Sequence, residues 1–333
     1  MKLKVLFTLS LVSIALASCG GQPASSSEVS SPASSSSSAP KRELGLNVAC
    51  PAGAPAVSLY RYFEAPTAAG KSLEVNADPA NVVAYLTEGS GKDIVICPTN
   101  AGLSAITKKN APYKIAATLT FGNFYLASTG NDANGTLDND DYVVAFQQNN
   151  VPDKIFKYCY PDLNNVHYVA AASDAAKVTI TGKNEADDNK QADYVLIAEP
   201  ALTNALSKNQ KASEYASLQT VFSEKSGGKP ISQASLFVSN TADKYAVADF
   251  LDEIKESVET FLASPEEIND YLSSFSAEEV QAKFSAPATA LIAMTKRGNR
   301  MGLGFKYASE NKGGIEAFSA LWGIEVNEEV YYK

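Results

Sequence analysis

Short β-branched runs alternate with amphipathic stretches along most of the chain, and the alternation predicts the elements. Leu44–Cys50 reads as a first strand, Pro51–Pro55 as a turn, and Ala56–Ala65 as a helix with Val57, Leu59, Tyr60 and Phe63 near its inner face. Leu73–Val75 is a short second strand, and Pro79–Leu86 a helix capped by Asp78 with Pro79 at its first position. Asp93–Cys97 has the pattern of a strand buried on both faces. Pro98 breaks it, and Thr99-Asn100 stand at the cap of a helix running to Lys109. Tyr113–Thr118 is the next strand and continues through Leu119–Asn123 into Phe124–Ser128. This order of strands and helices is that of a parallel sheet with right-handed crossovers.

A polar stretch, Gly130–Asp141, interrupts the pattern; its acidic spacing does not match an EF-hand, so it is expected to be a solvated connection. The same motif type then repeats. Tyr142–Phe146 is a strand, Gln147–Asn150 a polar turn and Pro152–Tyr160 a helix. Val166–Ala170 and Asp193–Ile197 are strands, with a helix capped by Ser173 or Asp174 between them. Glu199-Pro200 closes the second of these strands ahead of a helix from Ala201 to about Lys208, and the second α/β unit runs to about Glu224. Ala234–Asn240 is one more strand. The remainder is predicted helical over Asp243–Leu262, Pro265–Phe275, Ala277–Phe284, Pro287–Thr295 and Gly313–Trp322.

Composition narrows the function classes. The chain has 333 residues, 45% hydrophobic and 20% charged, a globular balance sufficient for about two domains. A net charge of -9 argues against nucleic acid as a partner. His167 is the single histidine, which removes most histidine-based catalysis and metal chemistry, and no cofactor is indicated. At the N-terminus Met1–Lys4 is basic and Val5–Ala17 is apolar but too short to span a bilayer. The following Leu16-Ala17-Ser18-Cys19-Gly20 resembles a bacterial lipobox, which implies cleavage before Cys19 and a lipid on its thiol. Residues 1–18 are then a signal peptide and residues 19–40 a lipidated Ser-rich linker, expected to stay disordered with a reach of roughly 25 Å. Two or three acyl chains, at about 0.8 kcal/mol per buried CH₂, hold such a chain on a membrane durably.

Several segments together carry a family resemblance. They are Gly53-Ala54-Pro55 after the first strand, Asp93–Asn100, Tyr113–Ala117 leading to Thr120–Leu126, Val151–Ile155, Asp193–Pro200 and Ala234–Val238. In this order, behind a lipobox, the chain resembles ABC-transporter substrate-binding proteins of the nitrate, sulfonate and thiamine-precursor type. The resemblance covers Leu44 to the C-terminus. It implies an α/β periplasmic-binding-protein fold, type II-like, with two lobes, each a mostly parallel sheet flanked by helices, hinged by two crossing strands. Lobe 1 would comprise 41–129 and 235–333, and lobe 2 130–234. The first crossing would follow Leu126, the second would lie near Ala234–Val238, and the C-terminal helices would pack back on lobe 1. The implied protein captures a small molecule between its lobes and delivers it to an ABC permease and its ATPase, from the outer face of a bacterial cell membrane, without bond chemistry.

Ligands of open α/β sheets bind at the carboxyl ends of strands. That rule selects Ala54, Pro55, Thr99, Asn100, Thr120, Phe121, Gly122 and Asn123 in lobe 1, and Gln147, Gln148, Asn149 and Glu199 in lobe 2. Helix-start amides suit carboxylates, sulfonates or polar heteroatoms. Capping and turn chemistry accounts for these residue types equally well at Thr99 and Asn100. A carboxylate ending a buried strand, as at Glu199, favours an amine or N–H-bearing heterocycle if it faces the cleft. Phe121, Tyr60 and Tyr62 could stack on a flat ring, although core packing is the simpler expectation. Cys50 and Cys97 end neighbouring strands, so a disulfide and two buried thiols both remain open. Thiamine-pyrimidine-like or other nitrogenous heterocycles come first among ligands, ahead of small sulfonates or nitrate. Two rival readings are an enzyme resembling the fungal pyrimidine synthases, whose cysteine-rich motif is missing, and an adhesin or structural surface lipoprotein.

Overall fold

Four strands open the chain: β1 (Val48–Pro51), β2 (Leu73–Asn76), β3 (Ile94–Pro98) and β4 (Tyr113–Thr120). Next come β5 (Phe124–Ser128), β6 (Val143–Phe146), β7 (Val166–Val169), the two-residue strands β8 (Lys183–Asn184) and β9 (Lys190–Gln191), β10 (Tyr194–Ala198) and β11 (Ser213–Ser217). The last are β12 (Ala234–Ser239) and β13 (Leu303–Tyr307). This computed structural model describes residues 43–68, 70–132 and 134–333. The signal peptide, the lipobox with Cys19 and the whole of the Ser-rich linker lie outside the described residues.

The strands form two principal sheets, in the orders β13-β4-β12-β3-β1-β2 and β11-β5-β10-β6-β7, with β8 and β9 as a separate small pair. In the first sheet β1 runs parallel to both β2 and β3, while β12 is antiparallel to both β3 and β4. In the second, β6 is parallel to β7 and β10, while β5 is antiparallel to both of its neighbours, β10 and β11. The reversed inner strands β5 and β12 are those that arrive from the other sheet. Both sheets are therefore mixed at their pairings, although most strands in each point one way.

The first crossing differs from expectation. The chain leaves the first sheet at Thr120 and enters the second at Phe124, so Phe121–Asn123 is the crossing, and Phe124–Ser128 belongs wholly to the second sheet. The left-handed Gly122 (φ 99°) makes this break, which an apolar run from Tyr113 to Ser128 conceals. The return passes through Lys229–Gln233 into β12, which lies entirely in the first sheet.

Each sheet has cores on both faces. On the first, Val48, Cys50, Ile94 and Ile96 face the long tail helix Lys244–Ala263, while Ala49, Val95, Cys97 and Phe237 face the other way with Leu103. That parity settles the cysteines. The register setting Ala49 against Val95 puts Cys50 level with Ile96, so Cys50 and Cys97 point to opposite faces of the sheet. Cys50, Cys97 and Cys159 are all free and buried, and burial raises all three thiol pKa values. Gly102 is the close-approach point of the Thr99–Lys109 helix, because a Cβ there would run into the Phe237 ring.

Local chemistry explains the remaining departures. The expected Ala56–Ala65 helix is a single turn, Ala54–Val57, followed by a 3₁₀ turn at Tyr60–Tyr62. Asp78 caps its helix as expected, accepting from the Ala80 amide at 2.9 Å. Asp174 sits inside its helix, Ala172–Thr181, and its carboxylate accepts from the Ala171 amide at 3.1 Å.

Candidate functional site

Between the carboxyl-end edges of the two sheets lies a cleft of about 340 Å³, within the size range of small-molecule sites. From the first sheet it is walled by the Pro51–Pro55 turn, Pro98 and Thr120, and from the second by Phe124, Phe146, Gln147 and Glu199-Pro200. The crossings supply Asn123 and Gln233, the tail helices add Phe284, Leu291 and Met294, and the turn before β13 adds Met301.

Six of the expected residues line this cleft: Ala54, Pro55, Thr120, Asn123, Gln147 and Glu199. The others are used elsewhere. Thr99 is the first helical residue, with Pro98 rather than Thr99 at the cap, and its hydroxyl bonds Ser235 Oγ at 2.7 Å in a buried chain that continues to Thr118. Asn100 lies one residue further into the helix, off the cleft lining, with its Oδ1 buried and unpartnered. Phe121 turns toward the tail strand: its amide donates to Gly302 O at 2.7 Å and its ring lies against Gly304. Gly122 packs on Gln219 and Gly302. Gln148 and Asn149 are exposed turn residues, and the Asn149 amide donates to the buried Asp153 carboxylate at 2.7 Å.

Glu199 lines the cleft, but its carboxylate is already partnered within the protein. Its side chain is 0% exposed. One carboxylate oxygen accepts from the Arg300 Nε at 2.5 Å and the Thr203 hydroxyl at 2.8 Å, and the other accepts from the Thr203 amide at 3.0 Å. The negative charge is thus held by a helix start and a guanidinium, and offers no unpaired counter-charge to an amine. Arg300 also pairs with Glu214 at 2.6 Å and lies over the Tyr125 ring at 4.5 Å. Burial works against the Arg300 charge, but its bonds to the two glutamates outweigh it and raise its pKa. Burial likewise pushes the Tyr125 phenol up to about 12 against the pull of Arg300. Arg300 comes from the tail that follows the first-sheet helices, whereas Glu199, Glu214 and Tyr125 belong to the second-sheet region, so this cluster ties the two together.

The polar groups left at the cleft are neutral. Asn123 is fixed by donating to Glu199 O at 3.0 Å and accepting from Gln233 Nε2 at 3.3 Å. Among the described residues lining the cleft, Glu199 is the one ionisable side chain. His167 is elsewhere, stacked on Tyr142 at 4.0 Å with its Nε2 2.8 Å from Asn165 Oδ1. Tyr60 and Tyr62 are core residues, packed on Tyr271 and Phe250. Sequence reasoning missed Phe124, Phe146, Gln233, Arg300 and the tail helices. Only Phe124 and Phe146, at the ends of apolar runs, carried a sequence signal for the cleft.

No protein-family model matches the sequence, and no curated protein sequence is significantly similar to it. Solved structures do match. An ABC transporter from Parabacteroides distasonis superposes with a TM-score of 0.66 at 17% identity, over 87% of this chain and 99% of that one. The periplasmic aliphatic sulphonate binding protein SsuA from Escherichia coli gives a TM-score of 0.60 at 12% identity, over 84% and 86%. A Candida albicans protein described as having the generic periplasmic binding protein structural fold gives 0.51 at 10% identity, over 86% and 92%. The chain has that fold.

Proposed function

We propose, for a chain with the periplasmic-binding-protein fold, an extracytoplasmic solute-binding lipoprotein that closes two lobes on a small uncharged molecule and presents it to an ABC permease and its ATPase. The observation that carries this reading is the cleft itself, bounded by strand ends of both sheets and spanned by their two crossings. Lobe 1 is built on the first sheet and lobe 2 on the second, with hinges at Phe121–Asn123 and Lys229–Gln233. Ligand bound to one lobe gains contacts from the other on closure, which shifts the population toward the closed form. The reading assigns no bond chemistry, and His167 stands away from the cleft.

The neutral lining favours a nitrogenous heterocycle over a sulfonate or nitrate. An anion buried there would meet no cation among the described lining residues, and an unpaired buried charge is costly. Thermal melting with a metabolite panel tests this reading. A true ligand at a hundredfold excess over its Kd stabilises by about 2.7 kcal/mol without being consumed. Turnover of the compound would instead favour the enzyme, and silence across the panel would favour a structural surface role.

Anchoring through Cys19 is part of the proposal. Cys19→Ser is expected to abolish incorporation of labelled palmitate and to release the protein from the membrane fraction. Labelling that persists in this variant would exclude Cys19 as the lipid site.

A further inference from the structure

Among the described residues, two buried oxygens beside the cleft find no partner: Thr120 Oγ1 and Gln233 Oε1. Both residues line the cleft, and Thr120 is 2% exposed. Their positions are tightly set. The Gln233 amide donates to Thr120 O at 2.9 Å and its carbonyl accepts from the Thr99 amide at 3.0 Å. The Gln233 side chain has one orientation, because its Nε2 donates to Asn123 Oδ1 while the Asn123 Nδ2 is spent on Glu199 O. What Gln233 leaves over is a bare acceptor. The hydroxyl of Thr120, the residue whose carbonyl accepts the Gln233 amide, can donate or accept.

We infer that Thr120 and Gln233 determine specificity, selecting an uncharged solute that presents an N–H donor beside an acceptor atom, the edge of a lactam, imide or aminopyrimidine. The inference rests on the solute-capture reading and names the chemistry its cleft reads. A buried acceptor without a donor is expensive to keep, and a ligand N–H recovers that loss. A sulfonate or carboxylate oxygen would instead face the Gln233 carbonyl oxygen, with repulsion in place of a bond. The two residues stand at the two crossings, Thr120 at the end of β4 and Gln233 just before β12. A ligand that bonds both therefore also bridges the segments about which the lobes close.

The test pairs N–H compounds with their methylated forms. Uracil, 4-aminopyrimidine and 1,3-dimethyluracil are titrated against the full chain, with ethanesulfonate as the anionic probe, by thermal melting and calorimetry. At least one N–H compound should bind. Methylation should weaken binding by about tenfold to a hundredfold, and Thr120→Val and Gln233→Leu should each lose a similar factor. Without ligand, Thr120→Val should melt no lower than the parent, because it replaces a partnerless buried hydroxyl with a methyl of the same shape. An ethanesulfonate shift, or binding indifferent to methylation, overturns the specificity assignment while leaving solute capture intact. A Thr120→Val variant that melts several degrees lower overturns it from the apo side, by revealing a partner for the hydroxyl within the fold. Silence from every probe removes the N–H assignment, and a response to other solutes in the wider panel would then show that capture survives it.

Discussion

Arg300→Met is expected to lower stability by about 3 kcal/mol and to loosen the join between the two sheets. Glu199 is fully buried, and without the guanidinium its carboxylate would keep only the two Thr203 donors. Removing one member of a buried pair typically costs about 3–5 kcal/mol, and the lower end applies because Arg300 is 17% exposed and methionine preserves part of its packing on Tyr125. For a chain of this size that is a fall in Tm on the order of 5–10 °C. Read from sequence alone, Glu199→Gln weakens ligand binding and leaves the fold intact. Given the pair, it too should lower Tm, because Arg300 loses the fully buried one of its two carboxylate partners. A double-mutant cycle by calorimetry checks the coupling. The double variant should melt well above the sum of the two losses, and simple additivity would mean that the pair does not join the sheets.

Gly302→Ala is expected to cost a further about 3 kcal/mol or more, for a different reason. Gly302 has φ +62°, a conformation that costs an L-residue roughly 1–2 kcal/mol. Its carbonyl accepts the Phe121 amide, and a Cβ would collide with the Gly122 carbonyl oxygen at the first crossing. The obstacle is backbone on both sides, so no rotamer relieves it. Gly298→Ala is the control, since Gly298 has φ +94° with nothing near its absent Cβ. Urea midpoints should fall much further for Gly302→Ala, with hydrogen exchange quickened at Phe121–Phe124. Equal losses at the two glycines would show that backbone conformation, and not close packing at the crossing, is what counts.

Legibility from sequence followed the range of the forces involved. Strands buried on both faces, such as Ile94–Pro98 and Tyr194–Ala198, announce themselves because every side chain must be apolar. The Asp78 cap and the Ala277–Phe284 helix were equally readable, being set within one turn of the chain. β11 was not: Ser213–Ser217 is a polar edge strand held by pairing to β5, with no periodicity of its own. β13 hides for a similar reason, as its pairing with β4 is broken by a register shift and it carries Gly304 against Phe121. The crossing at Phe121–Asn123 was masked because apolar residues flank it in both sheets.

By itself, then, the amino-acid order determined that two α/β units follow one another, which runs are strands and helices, and which strand ends carry polar turns. Those features depend on neighbours a few positions apart. The tertiary structure decided which sheet Phe124–Ser128 joins, which face Cys97 takes, and that the carboxylate of Glu199 is matched by Arg300, 101 positions away. It also brought the tail helices to the cleft and left the side-chain oxygens of Thr120 and Gln233 without partners beside it. Such outcomes depend on which distant groups share one desolvated volume, a property of the packed chain that no local pattern of residues encodes.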